Sequence, residues 1–373
     1  MSEGCKRYVN AQPWRQAAGR RYNDGMASIT LQVMAEPPGP LRPLNILHDL
    51  PQVADLIELC FETAMDDEGQ SYVQQMRKAS KDRDFLSWAG RVMESTSMPL
   101  AGYVWEEDGK IIGNTSLVFQ AHRSRKMAMI ANVATHPNHR RRGIGRALTE
   151  RAMLAAREKG AKEIWLQVRH DNPTAIKIYA DLGFVERARR TTYQSRSAPS
   201  SDVAARREPV SASLPGGTTP ITITRPSGRH WQRQREWLQR AHPDEISWYA
   251  HWDWNRLGPG LRNALYRMFV QYDIRQWAAT VHHELLASVT WAPTYRVPNA
   301  LWLAASPESG AAVTKVLEAA RRELAHYRRL TVEYPSAELR QEIEAAGFQE
   351  YRTLLWMCAT NGYVPRIDDQ KET

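Results

Sequence analysis

Cysteine is scarce in this chain: Cys5, Cys60 and Cys358 are the only three among 373 residues. They lie too far apart to share the spacing of a metal site or to form the disulfide framework of a small exported domain. No apolar run approaches the roughly 18 residues that a membrane span needs, and the N-terminus lacks the apolar core of a signal peptide. We therefore expect no metal, no membrane association and a reducing cytoplasm.

Charge and composition narrow the class of protein further. Apolar residues make up 42% of the chain, which is enough to bury the cores of about two domains at the usual 100 to 200 residues each. Fifty Lys and Arg against 41 Asp and Glu give a net charge of +9. This surplus favours anionic partners such as nucleic acid or polyphosphates, and the alternative is an ordinary surface rich in arginine.

Two stretches with few large apolar residues divide the chain. The first stretch, at the N-terminus, is rich in Arg, Gln, Gly and Pro. The second, near the middle of the chain, is rich in Ser, Ala, Pro and Gly. The elements on either side of the second stretch follow a similar order, which indicates an internal duplication. We predict a flexible extension at 1–43, a first domain at 44–194, a linker at 195–219, a second domain at 220–362 and a tail at 363–373. Met26 and Met34 are alternative natural starts.

The first domain has the pattern of a mixed α/β sheet. Asp108-Gly109 is a strong hairpin signal between two alternating segments. Asn172 can cap a helix whose first residue is Pro173, and Gly183 can end that helix. The predicted strands are 101–106, 111–119, 127–135 and 164–168, and the predicted helices are 145–159 and the segment after Asn172.

One loop carries the clearest chemistry. It reads His-Arg-Arg-Arg-Gly-Ile-Gly-Arg over residues 139–146, between a strand and a helix. Glycines let backbone N–H groups converge, the helix N-terminus adds partial positive charge, and the arginines neutralise phosphate. The segment predicts a diphosphate site.

Other interpretations of the loop fit less well. A Walker loop needs Gly-Lys-Ser/Thr, which is absent, and a dinucleotide fingerprint needs a third glycine where Leu148 stands. Nucleic acid remains an alternative ligand for the arginines, although the glycines favour a compact phosphate cup. His136 and His139 have no third ligand nearby, so we interpret them as polar loop residues.

Arg140-x-x-Gly143-x-Gly145 resembles the acyl-CoA loop of the GNAT superfamily of N-acetyltransferases. The segment from Asn172 to Phe184 resembles the second CoA-contacting helix of that family, and the strand Asn-Val-Ala-Thr at 132–135 precedes the loop as it does there. The resemblance implies a sheet whose strands at 127–135 and 164–168 splay apart to receive acetyl-CoA. It implies cofactor contacts by these residues: Val133, Ala134, Thr135, Arg140, Arg141, Arg142, Gly143, Ile144, Gly145, Arg146, Asn172, Ala175 and Tyr179.

The resemblance also implies direct attack of an amine on the thioester, with Tyr179 and Asn172 as catalytic residues. A backbone N–H of the splayed strand would stabilise the oxyanion. Tyr179 would protonate the departing thiolate, since a phenol with a pKa of about 10 is protonated at neutral pH. The alternative for Tyr179 is a half-buried aromatic of an amphipathic helix.

The general base is missing from the pattern. The strand at 127–135 has no glutamate, and four acidic residues near the expected acceptor site either attract a cationic amine or form a solvated helix end: Glu62, Asp66, Asp67 and Glu68. An α-amine, with a pKa near 8, needs a weaker base than a lysine near 10.4. We therefore favour an α-amine or a small amine as acceptor.

The second half repeats the order of elements. Strands are predicted at 276–282, 285–292, 300–305 and 330–333, and helices at 311–325 and 337–346. Ser-Pro-Glu-Ser-Gly at 306–310 replaces the phosphate loop, and Ile343 aligns with Tyr179. This half is predicted not to bind CoA in the ordinary way. Its many tryptophans are predicted to line a groove, an interface or a core, and residues 251–255 are the segment of most interest.

The resemblance therefore predicts two tandem GNAT-like folds, the first catalytic and the second degenerate. The expected function is transfer of an acetyl group from acetyl-CoA, without a metal, to a small-molecule amine or a protein α-amine. The alternative is a non-catalytic acyl-CoA-binding sensor on the same fold. The sequence leaves the acceptor, the acyl chain length and the oligomeric state open.

Overall fold

The structure of the protein is a computed structural model. It describes residues 40–62, 65, 67–81, 101–122, 125–195, 220–248, 254–259, 274–292, 299–327 and 329–360. The predicted tail and nearly all of the predicted extension and linker lie outside these residues. Within them, no helix is long and apolar enough to cross a membrane.

Helices occupy both halves of the chain. In α1 the buried residues Leu50, Val53, Ala54 and Ile57 recur with the helical period, so one face of the helix is apolar. The described helices are α1 (Leu50–Phe61), α2 (Asp67–Ala79), α3 (Ile144–Glu158), α4 (Pro173–Asp181), α5 (Trp231–Ala241), α6 (Asp244–Ser247), α7 (Gly310–Glu323) and α8 (Arg340–Ala345).

Twelve described strands form one continuous sheet. In chain order they are β1 (Leu41–Pro43), β2 (Ala101–Glu107), β3 (Lys110–His122), β4 (Arg125–Thr135), β5 (Glu163–Arg169), β6 (Val185–Ser195), β7 (Thr222–Thr224), β8 (Arg275–Val281), β9 (Glu284–Trp291), β10 (Ala300–Ala305), β11 (Thr331–Pro335) and β12 (Phe348–Thr360). Their order across the sheet is β1-β2-β3-β4-β5-β12-β6-β11-β10-β9-β8-β7. Only β4 with β5 and β10 with β11 are parallel neighbours.

The two halves exchange their last strands. Strand β12 comes from the second half but pairs with β5 of the first, from Leu354↔Arg169 to Thr360↔Glu163. Strand β6 comes from the first half but pairs with β11 of the second, from Thr331↔Gln194 to Pro335↔Arg190. Strands β6 and β12 also pair with each other along most of their length. The sheet of each half is therefore completed by the other half.

The cores reflect this exchange. In the first half, α3 and α4 cover one face of the sheet and α1 and α2 cover the other. Leu355 and Met357 of β12 belong to the same core cluster as Leu148 of α3, while Phe348 of β12 belongs to the core of the second half. Tyr193 of β6 is fully buried in that second core. One strand of each half thus contributes buried side chains to the partner core.

Local predictions agree closely with the structure. Asp108 and Gly109 both have positive φ, at 50° and 72°, as the predicted hairpin turn between β2 and β3 requires. The predicted hairpin of the second half is β8 and β9. One helix boundary was wrong: α8 begins at Arg340 instead of residue 337, because Ala337 and Leu339 adopt positive φ in the preceding turn.

The tryptophans of the second half are mostly buried. Trp248 packs edge-to-face against Trp165 of β5 and Trp356 of β12, with ring centroids 6.3 and 6.4 Å away. Trp254 and Trp302 lie 4.7 Å apart in a separate cluster. The segment 251–253 lies outside the described residues. The described tryptophans named here fill cores, and Trp248 also joins the two halves.

Candidate active site

A gap opens between β4 and β5. The two strands pair in parallel from Met127↔Glu163 to Ile130↔Leu166, and there the pairing ends. Strand β4 continues to Thr135 and β5 continues to Arg169. The sheet therefore has two neighbouring strand segments whose facing edges are not paired with each other, as the sequence predicts for a splayed site.

A bulge in β4 accompanies the gap. On β3, Asn114 faces Ala134 and Ser116 faces Ala131, so two residues of β4 lie opposite Thr115 alone. Asn132, one of those two, has a positive φ of 52°. Asn tolerates this left-handed conformation better than most residues because its short side chain can bond locally. The bulge lies in the segment of β4 that borders the gap, directly after the last pair with β5.

The predicted phosphate loop joins the end of β4 to α3. Arg141 and Gly143 have positive φ, at 64° and 78°, and α3 begins at Ile144. No atom lies within 4 Å of the position a Gly143 Cβ would take, so this glycine is required by its backbone conformation and not by crowding. A Gly145 Cβ would lie 3.6 Å from Thr135 Oγ1, which brings the helix start close to the end of β4.

The first turn of α3 presents backbone donors. Ala147 N–H donates to the Gly143 carbonyl at 3.0 Å, and the three N–H groups before it, at Ile144, Gly145 and Arg146, come too early in the helix to have an intrahelical acceptor. Alignment of the peptide dipoles along this 15-residue helix makes that end partially positive. The loop and the helix start can therefore hold an anion without any side chain.

The four arginines of the loop differ in their partners. The Arg142 guanidinium forms two hydrogen bonds to the Glu107 carboxylate, at 2.6 and 3.0 Å, and holds the pKa of Glu107 below its usual range. Arg146 is paired with Glu150 at 2.9 Å. Arg140 Nε reaches the Thr135 carbonyl at 3.4 Å, and Arg141 has no side-chain partner among the described residues. Arg140 and Arg141 therefore carry charge that no carboxylate neutralises within the part of the chain that the structure describes.

Asn172 immediately precedes α4, and Tyr179 lies on α4 in the same cluster that Val133 of β4 packs against. The Asn172 side chain accepts a hydrogen bond from Ala175 N–H at 3.1 Å and caps the helix before Pro173, as predicted. Tyr179 is 8% exposed, and its ring packs against Phe184 with centroids 5.9 Å apart. Burial raises the pKa of Tyr179 to about 12, so its hydroxyl keeps its proton at every physiological pH.

One apolar cluster brings several predicted residues together. Ile144 and Tyr179 are buried in it, and Val133 and Ala175 pack against it. At least one predicted residue each of β4, the loop and α4 thus meets in this cluster, whereas Ala134 is buried in the core under α1 and α2. The side chains of Arg142 and Arg146 are directed to the Glu107 and Glu150 carboxylates. Their predicted role at the phosphates stays a prediction, as do the other assigned contacts.

Three side chains near the gap were missed by the sequence analysis. Cys60, at the end of α1, donates its thiol to the Thr135 carbonyl at 3.3 Å, and burial raises the pKa of that thiol. Asn114 Nδ2 donates to the Asn132 carbonyl at 3.0 Å, and Asn132 Nδ2 donates to the Tyr72 hydroxyl at 2.9 Å. A polar Asn-Thr-Ser run inside an otherwise apolar strand is the sequence signal that could have indicated the second of these contacts.

Two other predicted groups are an acidic set and a histidine pair. Glu62 is exposed just past α1, and the side chains of Asp66, Asp67 and Glu68 lie outside the described residues. His136 accepts a hydrogen bond from Asn138 N–H at 3.3 Å and caps a single 3₁₀ turn. Among the described residues, no group of three potential metal ligands occurs.

The second half has a gap but a different loop. Strands β10 and β11 pair only at Ala300↔Thr331 and Leu301↔Val332. Before α7, the Ser309 hydroxyl lies within donating distance of both the Leu286 and Ser306 carbonyls, at 2.7 and 2.8 Å, which fastens the loop to the neighbouring strand β9.

The start of α7 is also occupied. A Cβ on Gly310 would lie 2.9 Å from Glu342 Oε1, so a carboxylate lies beside the helix N-terminus. Ile343, the residue aligned with Tyr179, is fully buried. A negative group thus stands where the first half offers backbone donors to an anion.

Comparisons with known proteins agree with this geometry. A profile described as Acetyltransferase (GNAT) family matches residues 55–184. The [ribosomal protein bS18]-alanine N-acetyltransferase of Escherichia coli K12 is 32% identical over 123 aligned positions, covering 27% of this chain and 83% of that enzyme. An N-alpha-acetyltransferase of Sulfurisphaera tokodaii is 35% identical over 95 positions, covering 23% of this chain and 57% of that enzyme.

Two further matches are a solved structure and a sequence relative. A tandem GNAT protein from the clavulanic acid biosynthesis pathway superposes with a TM-score of 0.46 at 17% identity, covering 87% of this chain and 99% of that chain. A mycothiol acetyltransferase of Catenulispora acidiphila is 29% identical over 110 positions, which cover 30% of each chain.

Proposed function

Because the chain belongs to the GNAT family and is an acyltransferase, we propose that it transfers an acetyl group from acetyl-CoA to a primary α-amine. The observation that supports this proposal is the continuity of three features: the gap between β4 and β5, the left-handed loop at Gly143, and Tyr179 beside them. The gap suits an extended pantetheine, and the donors at the start of α3 suit a diphosphate.

The residues present fit the proposed cosubstrate. The Thr135 carbonyl is turned away from β3, since His136 N–H of the same peptide bonds to the Ile112 carbonyl of β3 at 2.8 Å. That carbonyl accepts long hydrogen bonds from the Cys60 thiol and Arg140 Nε, at 3.3 and 3.4 Å, and a pantetheine amide would replace one of these two donors. The open space at Gly143 and the backbone donors of the first α3 turn leave room for a diphosphate.

Bound acetyl-CoA supplies a thioester carbon that a neutral amine can attack directly. In the proposed step, a backbone N–H of the bulged β4 segment donates to the thioester oxygen as negative charge develops there. Tyr179, whose burial keeps the phenol protonated, gives its proton to the departing sulfur. The amine loses its own proton to water, because the sequence of β4 contains no carboxylate.

The acceptor class follows from the absence of a carboxylate on β4. An α-amine with a pKa near 8 is partly neutral at pH 7.5, whereas a lysine near 10.4 is almost wholly charged. The names of the two N-acetyltransferases above specify an alanine and an N-alpha acceptor, which supports the same choice. We therefore propose a protein or peptide N-terminus, with a small-molecule amine as the second candidate.

The test is acetyl-CoA-dependent thiol release with three acceptors: a peptide with a free N-terminus and no lysine, the same peptide with a blocked N-terminus and one lysine, and a small primary amine. We expect the first to react fastest. A faster lysine peptide would contradict the α-amine assignment. Calorimetric binding of acetyl-CoA without thiol release for any acceptor would support the alternative, a non-catalytic acyl-CoA sensor.

A further inference from the structure

A side chain of β3 holds one peptide group of the β4 bulge. Asn114 is fully buried, and its Nδ2 donates to the Asn132 carbonyl at 3.0 Å. The strand register shifts at this point, so the ladder between β3 and β4 is irregular here. The orientation of the peptide between Asn132 and Val133 is therefore held by an amide side chain.

The consequence follows from peptide geometry. In a trans peptide the carbonyl and the next N–H point in opposite directions. Asn114 draws the Asn132 carbonyl towards β3, so the Val133 N–H is turned away from β3, to the side where β4 no longer pairs with β5. Val133 itself packs against the cluster that contains Tyr179.

We propose that Asn114 is a positioning residue, which aims the Val133 N–H at the thioester oxygen of the bound acyl donor. This inference rests on the proposed acetyl transfer and assigns the residue that orients its backbone oxyanion donor. Asn114 contacts no reacting atom. It acts through the Asn132 carbonyl.

Two further contacts hold the same bulge. The Asn132 side chain donates to the Tyr72 hydroxyl of α2 at 2.9 Å and approaches Ser116 Oγ at 3.5 Å. Asn114 Oδ1 is buried and has no hydrogen-bond partner among the described residues. A buried unpaired acceptor lowers stability, and leucine, similar in shape, would avoid it. Packing alone therefore does not account for an asparagine at this position.

The test uses two acetyl-CoA analogues that differ in the carbonyl. One is the ketone in which CH₂ replaces the sulfur, and the other is S-ethyl-CoA, which has no carbonyl. For Asn114→Leu, we expect calorimetry to give about 5- to 10-fold weaker binding of the ketone and less than about 2-fold weaker binding of S-ethyl-CoA. The kcat for acetyl transfer should fall about 10- to 100-fold, somewhat less than for loss of an oxyanion donor.

Thr115→Val is the matched control. Thr115 is the next residue of β3, fully buried, with a hydroxyl that has no partner among the described residues. Removing that hydroxyl changes buried polarity on the same strand but leaves the Asn114 contact in place. Both analogues should bind as they do to the unchanged protein. Asn114→Ser, whose side chain is too short to reach the carbonyl, replaces the leucine variant if that variant does not fold.

The outcomes separate this inference from the proposed function. If the unchanged protein binds neither analogue, the acyl-CoA site itself is wrong and both proposals are overturned. If it binds both, and the Asn114 variants weaken both equally or neither, the positioning role is overturned while the proposed function stands. Selective loss of the ketone supports the role, because a general distortion of the gap would weaken both analogues.

Discussion

The two halves of the sheet splay in the same way but begin their central helices differently. In the first half the loop is left-handed at Gly143 and no atom lies near the position of its absent side chain. In the second half Ser309 fastens the loop to the neighbouring strand β9, and the Glu342 carboxylate lies beside Gly310. The gap alone therefore does not make an anion site. Whether a gap becomes an anion site depends on the loop beside it, through the backbone conformation of the loop and the sign of the nearest charge.

Separating the halves should have the largest effect. Without β12, the first half loses buried residues such as Leu355, Trp356 and Met357, each worth roughly 1.5–3 kcal/mol. A typical domain has only about 5–15 kcal/mol of stability in total. We expect 40–219 and 220–360, expressed alone, to lack a cooperative thermal transition, and co-expression to restore one. A soluble, cooperative first half would contradict the structural role of the exchange.

Tyr179 and Ile343 occupy aligned positions, so their variants test which half reacts. Tyr179→Phe removes the proposed proton donor and should lower kcat by about 10²- to 10⁴-fold with the Kd for acetyl-CoA unchanged. Ile343→Val should leave kcat unchanged and cost about 0.5–1.5 kcal/mol of stability. Steady-state thiol release, calorimetry and thermal denaturation measure these. Unchanged turnover in the phenylalanine variant would remove the proposed role.

Gly143 and Gly310 provide the same comparison for binding. Gly143→Glu places a negative side chain at the loop in a conformation that only glycine adopts easily, and should weaken acetyl-CoA binding at least about 100-fold. Gly310→Glu should leave the affinity unchanged, because that helix start already lies beside a carboxylate. Calorimetric titration measures both. A loss of affinity from the Gly310 variant would place the cosubstrate in the second half.

Low pH should destabilise the second half more than the first, and this is the smallest of the four expected effects. Burial and the neighbouring Arg190 guanidinium hold the pKa of His242 well below its ordinary 6.5. The unfolded chain therefore takes up a proton below about pH 6.5 that the folded chain does not, so stability is full above that pH and is lost as the pH falls. His242 lies 5.5 and 5.1 Å from the rings of Trp254 and Trp302.

Tryptophan fluorescence during thermal denaturation at pH 7 and pH 5 measures this loss. In His242→Gln, which keeps an acceptor for Arg190 but does not titrate, the decrease in Tm between the two pH values should be smaller. An equal decrease in both proteins would show that His242 does not govern the acid response.

Local sequence signals predicted several turns and caps around the candidate site. The turn at Asp108-Gly109, the cap at Asn172 and the left-handed glycine of the loop depend on a few neighbouring residues, and each lies where the sequence placed it. The partner of Arg142 was not predictable in this way. Glu107 lies 35 residues earlier in the chain and meets the loop only because the hairpin of β2 and β3 brings it there.

The strand exchange could not be read from the sequence. Strands β6 and β12 have the same role in their respective halves, and an alternating segment gives the same pattern whichever sheet it joins. The contact between Asn114 and Asn132 likewise needs the register of two strands, which a polar residue in an apolar run does not specify. The sequence therefore did not predict the long-range strand pairing or the register of the strands.

The position of β12 also bears on synthesis. A ribosome completes β5 long before it reaches β12, the strand that must lie beside it. During that interval the nascent chain exposes an unpaired strand edge next to its future reaction centre, which is a recognised hazard for aggregation. The first half, although made first, therefore acquires its final sheet only after the last strand has left the exit tunnel.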